Sequence, residues 1–246
     1  MEKLNTVKIL KKLVSFPTVS RDANLDLIEY IYDMIKCEKV NPVIIRNKEN
    51  TKANLFASIG PENNDGVMLS GHTDVVPIDG QNWTKQPFEC TYEDGFYFGR
   101  GTADMKGFVA SAVNSFIKAK TKNLNKPLYL ALSYDEEVGC LGVRSLIDLI
   151  KELEFKPAMC IVGEPTLMSI ATGHKGKTAL RADCEGVEAH SALAPKGMNA
   201  IHLACDLVNE IRNMQNEISV NGTKDHDYDI PYTTLHVGKI SGGIVL

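Results

Sequence analysis

Short apolar runs alternate with amphipathic stretches along the first two thirds of the chain, and this alternation constrains the fold more than any other feature. Leu128–Leu132 is a continuous apolar run, as expected of a strand that is covered on both faces. Further short strands are predicted at Val43–Arg46, Asn54–Ile59, Val67–Gly71, Phe96–Phe98 and Ala158–Val162. Apolar residues at helical spacing predict helices at Leu4–Leu13, Ile28–Ile35, Val109–Phe116 and Leu141–Ile150. Strands and helices in alternation favour an α/β fold, a mostly parallel sheet with helices on both faces.

The pattern changes after about Ile170. Two strands are predicted there, at Thr178–Cys184 and Thr233–Ile240, on either side of an amphipathic helix over Asn199–Met214. The polar stretch Asn216–Asp229 is predicted to be an exposed loop, and the last apolar run, Ile244–Leu246, predicts one more strand. We interpret this β–α–β unit as the beginning of a second, smaller α+β domain.

Composition and charge exclude several classes of protein. The 246 residues are 43% hydrophobic and 24% charged, with a formal net charge of −4, which gives no basic surface for nucleic acid or for a membrane. Lys8, Lys11 and Lys12 interrupt every apolar run near the N-terminus, so no signal peptide is predicted and we expect a cytoplasmic protein. The six cysteines contain no Cys-x-x-Cys pair, and we expect reduced, mostly buried thiols.

Imidazole and carboxylate side chains follow the predicted strands at four places. His72 ends the strand Val67–Gly71, and Asp74, two residues later, is placed to orient the imidazole. The other three places are Asp104, the pair Glu136–Glu137, and Glu164. Because parallel strands deliver their carboxyl ends to one edge of a sheet, we expect these groups to converge. An imidazole with three carboxylates suits Zn²⁺ or a similar divalent ion.

Each of these residues also has a simpler interpretation. Asp104 has the position of a helix N-cap, Glu136–Glu137 that of a solvated strand end, and Glu164 that of an ordinary loop residue. An adjacent pair of carboxylates nevertheless allows one to bind metal while its neighbour acts as general base. The remaining histidines are interpreted as surface residues: His174, His190, His202, His226 and His236.

Three segments resemble the signatures of the dinuclear-zinc amidohydrolases: Val67–Val76, Gly99–Gly107 and Asp135–Gly139. Further segments are similar to the acetylornithine deacetylase branch of that family: Pro77–Trp83 with Pro87–Phe88, Gly173–Gly176, Ala189–Ala192 and Gly197–Ile201. The resemblance implies a zinc-exopeptidase-like fold and hydrolysis of the amide bond of a small N-acyl amino acid. The substrate implied first is N2-acetylornithine, giving ornithine and acetate in arginine biosynthesis; succinyl-diaminopimelate and a dipeptide are the alternatives.

The resemblance also implies a role for each matched residue. His72 and Glu164 would hold one Zn²⁺ or Co²⁺ ion, Asp104 would bridge two ions, and Glu137 would bind the second. Asp74 would orient His72, Glu136 would be general base and proton shuttle, and His190 of the partner subunit would donate a hydrogen bond to the oxyanion. The family also has a cis peptide after its bridging aspartate, which predicts a cis bond between Asp104 and Met105.

The family pattern continues past Leu246 with a segment that carries the last ligand of the second metal. We therefore expect residues 1–175 to be a metal-binding catalytic domain without that returning segment, and residues 176–246 to be a partial lid and dimerisation domain. One ion rather than two is expected, and the partner surface that forms the homodimer of the family would be only half built. Two interpretations follow: an active deacylase, or a truncated and inactive remnant that binds at most one metal.

Overall fold

The computed structural model describes residues 5–63 and 65–244. The helices are α1 (Thr6–Val14), α2 (Leu25–Ile35), α3 (Lys106–Ala119), α4 (Val143–Glu152) and α5 (Ala200–Asn221), with a 3₁₀ turn at Ser191–Lys196. The strands are β1 (Val43–Arg46), β2 (Ala53–Ile59), β3 (Gly66–His72), β4 (Thr91–Glu93), β5 (Phe96–Phe98), β6 (Leu128–Ser133) and β7 (Pro157–Val162). Leu4 of the predicted first helix and the last two residues of the predicted final strand lie outside the described residues.

The central sheet has five strands in the order β1-β2-β6-β3-β7. Strand β3 pairs in parallel with both β6 and β7, whereas β2 is antiparallel to both β1 and β6. Four strands therefore point in one direction and only β2 points the other way. The prediction of a mostly parallel α/β sheet is confirmed. The reversal of β2 also places the beginning of β2 beside the carboxyl end of β6, at the edge where the candidate site lies.

Strand β6 contributes to two separate cores. Leu130 and Leu132 belong to a large apolar cluster built with α1, α2 and α3, while Tyr129 and Ala131 belong to a smaller one with Leu146 of α4. Successive side chains of a strand point to opposite faces, so the continuous apolar run reflects burial on both sides of the sheet. The predicted helices on both faces are thereby confirmed. Burial of one leucine contributes about 1.5–3 kcal/mol.

The residues at the two ends of α1 favour a helix at this position. The Asn5 side chain accepts a hydrogen bond from the main-chain nitrogen of Lys8 at 3.0 Å, which satisfies a free N–H group of the first turn. Lys11 and Lys12 lie in the last turn, where positive charge interacts favourably with the helix dipole. The helix ends at Val14, three residues before Pro17, which could not continue it.

By contact density the chain divides into two compact units, Met1–Gly173 and His174–Leu246. In the second unit the predicted helix is present, but α5 continues to Asn221, into the stretch predicted to be a loop. Neither predicted strand, Thr178–Cys184 or Thr233–Ile240, is formed. These two strand predictions were wrong because a strand needs a hydrogen-bonded neighbour, and neither segment pairs with one.

The thiols are free, as expected, but their burial was predicted wrongly. Only Cys90 is buried, Cys184 is intermediate, and the other four are exposed: Cys37, Cys140, Cys160 and Cys205. Cys160 lies on the edge strand β7, in which residues 158–162 are all exposed.

Within residues 5–63 and 65–244, no helix combines the length and the apolar character needed to cross a membrane.

Candidate metal centre

His72 is the last residue of β3 and is almost completely buried. Its Nδ1 lies 2.9 Å from the main-chain oxygen of Asp74 and 3.5 Å from Oδ1 of the same residue. Because a carbonyl oxygen can only accept, Nδ1 carries a proton and Nε2 faces away from Asp74. The structure therefore places Asp74 against the imidazole in the way predicted for an orienting partner.

The Asp74 carboxylate is buried and accepts several hydrogen bonds. Ser20 Oγ donates to Oδ2 at 2.7 Å, and the main-chain nitrogens of Glu136 and Glu137 donate to Oδ1 and Oδ2 at 3.1 and 3.3 Å. Burial by itself raises the pKa of Asp74, but the hydrogen bonds from His72, Ser20 and Glu136 outweigh it, so this pKa lies below the usual value. The same residue thus contacts the imidazole and, through its carboxylate, the main chain of the two glutamates.

Asp104 is presented by a tight turn between β5 and α3. Gly101 has a φ of +86°, a conformation that favours glycine, and a Cβ on Gly107 would lie 2.4 Å from the carbonyl oxygen of Thr102. The peptide between Asp104 and Met105 is cis, which confirms the prediction. Met105 is the N-cap residue of α3 and no side chain caps this helix, so Asp104 is not the helix cap that its position also suggested.

Glu136 and Glu137 follow β6 in a turn that starts at Asp135, whose φ is +56°. Asp135 makes an ion pair of 2.6 Å with Lys52, and each side chain is only 14% exposed. Glu164 follows β7, which is separated from β6 in the sheet by β3. The four predicted places thus lie at the carboxyl ends of β3, β6 and β7 and in the turn before α3.

The structure brings these side chains together around Nε2 of His72. This atom lies 3.0 Å from Oδ1 of Asp104, 3.8 Å from Oε1 of Glu164 and 3.9 Å from Oε2 of Glu136. Among the described residues, two sets of three have ligand atoms within 4.8 Å of one another and are arranged to hold an ion: His72 with Asp104 and Glu164, and His72 with Glu136 and Glu137. The first set matches the one expected for a single metal. The second contains both Glu136 and Glu137, so the division of roles between the two glutamates stays a prediction.

The electrostatics of the cluster suit a divalent cation. Burial opposes protonation of His72, but hydrogen bonding to Asp74 and the charges of Asp74, Glu164 and Asp104 raise its pKa to about 9. Burial, reinforced by the negative charge of Asp104, raises the pKa values of Glu137 and Glu164. Carboxylates gathered at one point with too few positive partners are stabilised by a cation, and an imidazole with carboxylate oxygens is a donor set that Zn²⁺ accepts. The residues present therefore fit a metal ion.

His190 lies in the second unit. Its side chain is exposed, and its Nδ1 accepts a hydrogen bond from the main-chain nitrogen of Ala192 at 3.2 Å. Its predicted role toward an oxyanion stays a prediction. The other four histidines of the second unit are exposed, which agrees with their interpretation as surface residues.

Sequence reasoning did not find Ser20, Lys52 or Asp135 among the residues around the site. Ser20 and Lys52 lie 54 and 83 residues from their partners Asp74 and Asp135. No local spacing indicates such contacts. The pairing of β2 with β6 brings Lys52 to Asp135, and a bridge between Val19 and Val75 brings Ser20 to Asp74. The position of Asp135, next to Glu136, was the one signal available.

Comparison with known proteins agrees with this geometry. The model of Peptidase family M20/M25/M40 matches residues 68–237. Acetylornithine deacetylase from Shigella sonnei (strain Ss046) is 33% identical over 245 residues, which are 96% of this chain and 62% of that protein. The chain therefore spans less than two thirds of the length of this relative.

Two solved structures share the fold. An M20 family metallo-carboxypeptidase from Sulfolobus solfataricus is 21% identical, with a TM-score of 0.57 over 65% of this chain and 37% of that one. Human carnosine dipeptidase 1 is 22% identical, with a TM-score of 0.52 over 60% of this chain and 35% of that one. These likenesses agree with the zinc-exopeptidase-like α/β fold, and the match over residues 68–237 shows that the chain belongs to Peptidase family M20/M25/M40.

Proposed function

We propose that this protein is a metal-dependent amidohydrolase that removes the acyl group of an N-acyl amino acid, and that its substrate is N2-acetylornithine. The proposal depends mainly on one observation, the position of His72 Nε2 within 4 Å of carboxylate oxygens from Asp104, Glu136 and Glu164. The choice of substrate rests on the deacetylase from Shigella sonnei, a relative that matches almost the whole chain. Zn²⁺ or Co²⁺ is the cation proposed, because both suit imidazole and carboxylate ligands.

His72, Asp104 and Glu164 would hold the ion, with Glu137 toward a second position. A divalent cation bound there supplies Lewis acidity toward the amide carbonyl and lowers the pKa of water. Asp74 keeps the proton of His72 on Nδ1, so that Nε2 is available as a ligand. The carboxylate cluster thus supplies negative charge for the cation, while the buried His72–Asp74 pair fixes the direction of the imidazole.

Glu136 is the proposed general base. Its carboxylate is 39% exposed, which leaves it accessible to water and substrate. Glu136 would take a proton from the attacking water and deliver it to the nitrogen of the departing amine. Hydrogen bonding of its main-chain nitrogen to Asp74 holds this residue in a fixed relation to the ligand His72. His190 is proposed to donate a hydrogen bond to the oxyanion of the tetrahedral intermediate.

The test is an assay of the purified chain, first freed of metal by a chelator and then supplied with Zn²⁺ or Co²⁺. Release of ornithine from N2-acetylornithine should appear on addition of metal and should be absent from a Glu136→Ala preparation, which controls for contaminating host enzyme. Succinyl-diaminopimelate and a dipeptide are assayed in parallel. Turnover of one of these instead would keep the amidohydrolase and refute the substrate; metal binding without turnover of any of the three would refute the activity.

A further inference from the structure

A polar linkage joins three parts of the first unit behind the glutamate turn, which is the turn that contains Asp135, Glu136 and Glu137. Lys52 Nζ donates to Oδ1 of Asp135 at 2.6 Å and also to the main-chain oxygen of Ser20. The Ser20 hydroxyl in turn donates to the Asp74 carboxylate. From this arrangement we infer that Lys52 is a positioning residue, which holds the turn of Asp135 so that Glu136 and Glu137 face His72. The inference rests on the proposed function, because it concerns the same metal centre.

The fold explains how Lys52 reaches the site. It immediately precedes β2, and β2 is antiparallel to β6, with Leu55 paired to Leu132. The residue before β2 therefore lies next to the residues that follow β6, which are the residues of the glutamate turn. A parallel neighbour would have placed its first residues at the opposite end of the sheet.

The glutamate turn is held from two sides. The Asp74 carboxylate accepts the main-chain nitrogens of Glu136 and Glu137, whereas Lys52 holds the side chain of Asp135. Ser20 connects the two sides, since its hydroxyl binds Asp74 and its carbonyl oxygen binds Lys52. The backbone of Asp135 has a positive φ, a conformation that is uncommon for residues other than glycine. Removal of the ammonium group would leave this carboxylate unpaired at a site that is only 14% exposed.

Four variants of the full chain separate positioning from general stability. Lys52→Met removes the charge and keeps the aliphatic stem, Lys52→Arg keeps the charge, and Asp135→Asn keeps the shape of its partner. Lys126→Met is the matched control, because Lys126 makes an ion pair of 2.5 Å with Asp65 in the same unit, outside the linkage. Melting temperatures establish which variants are folded before any other comparison is made.

The first readout does not involve metal: exchange of the Glu136 and Glu137 amide hydrogens, followed by NMR. Lys52→Met and Asp135→Asn should accelerate this exchange at least tenfold, and Lys126→Met should leave it unchanged. Equal protection of these amides in Lys52→Met and in the unmodified chain would overturn the inference, whether or not the protein binds metal.

The second readout is titration with Co²⁺, followed by the visible absorption of the bound ion. Lys52→Met should weaken Co²⁺ binding about tenfold and change the spectrum, as loss of an outer partner of metal ligands does. Lys52→Arg should have the Co²⁺ affinity and the spectrum of the unmodified chain. A loss of stability alone would not explain this difference between the two Lys52 variants. Absence of Co²⁺ binding by the unmodified chain would instead refute the proposed function and leave the exchange experiment to decide on Lys52.

Discussion

Nδ1 of His72 donates a hydrogen bond to the main-chain oxygen of Asp74 over 2.9 Å, so the two residues of the His-x-Asp motif are joined by the backbone as well as by charge. The carboxylate of Asp74 also accepts hydrogen bonds from Ser20 and from the main-chain nitrogens of the glutamate turn. One buried residue thus contacts both the imidazole and the main chain of the proposed general base.

Asp74→Asn should weaken metal binding by about 10–100-fold. The amide has one oxygen where the carboxylate has two, so it cannot accept all the hydrogen bonds that Asp74 accepts, and it lacks the negative charge beside His72. The measurement is Co²⁺ affinity by calorimetry. Asp79→Asn is the control, because Asp79 forms an exposed ion pair with Arg21; an equal loss in both variants would contradict the role of Asp74.

Glu136→Ala and Glu164→Ala should affect different properties, the first the rate of turnover and the second the metal content. Loss of the proposed general base should lower kcat by about 10²–10⁴-fold and leave the metal content nearly unchanged. Loss of Glu164, which lies 3.8 Å from Nε2 of His72, should reduce the metal content itself. Metal analysis beside kinetics distinguishes the two. Loss of metal in Glu136→Ala would mean that the set of His72, Glu136 and Glu137 is the one that is occupied.

Metal analysis of the purified chain should give nearer one tightly held ion than two. Both sets of residues that are arranged to hold an ion contain His72, and its Nδ1 is bonded to Asp74, which leaves a single nitrogen for one ion. Equilibrium dialysis with Zn²⁺ measures the stoichiometry. Two ions of similar, high affinity would show that a further ligand completes a second site.

Leu130→Ala should lower the free energy of unfolding by about 2–5 kcal/mol, because Leu130 is fully buried in the larger core and its truncation leaves a cavity. Chemical denaturation, followed by circular dichroism, measures the change. Leu180→Ala is the matched control: that leucine is 92% exposed, and its truncation should change stability by less than about 0.5 kcal/mol. Similar losses in the two variants would contradict the assignment of the core.

The sequence predicted those parts of the molecule that local patterns determine. The apolar run at Leu128–Leu132 identified a strand buried on both faces, and the residues after the strands identified the edge at which the site lies. The direction of β2 was not predicted, because an apolar pattern is the same for either direction of a strand. The end of α5 was missed because the stretch after Met214 is polar, although Ile218 continues the helical spacing.

The support around the site was not predictable for a different reason. Ser20 and Lys52 are ordinary polar residues in sequence, and their significance arises only from contacts made over long separations. The metal ligands could be predicted because the chemistry of a metal site requires particular residue types. The residues that hold those ligands in place can be of many types, so composition and spacing carry little information about them.

Affinity for Co²⁺ should rise with pH from about 6 to about 9. In the metal-free protein the pKa of His72 is raised to about 9, so at neutral pH Nε2 carries a proton that a metal ion must displace. The raised pKa values of Glu137 and Glu164 act in the same direction, because a protonated carboxyl group must also lose its proton before it binds metal. Below the pKa of His72 each tenfold fall in proton concentration should therefore strengthen binding by about tenfold, and above it the affinity should level off. Calorimetry in buffers of different ionisation enthalpy measures the protons released, and binding that releases none at pH 7 would show that His72 is not the ligand.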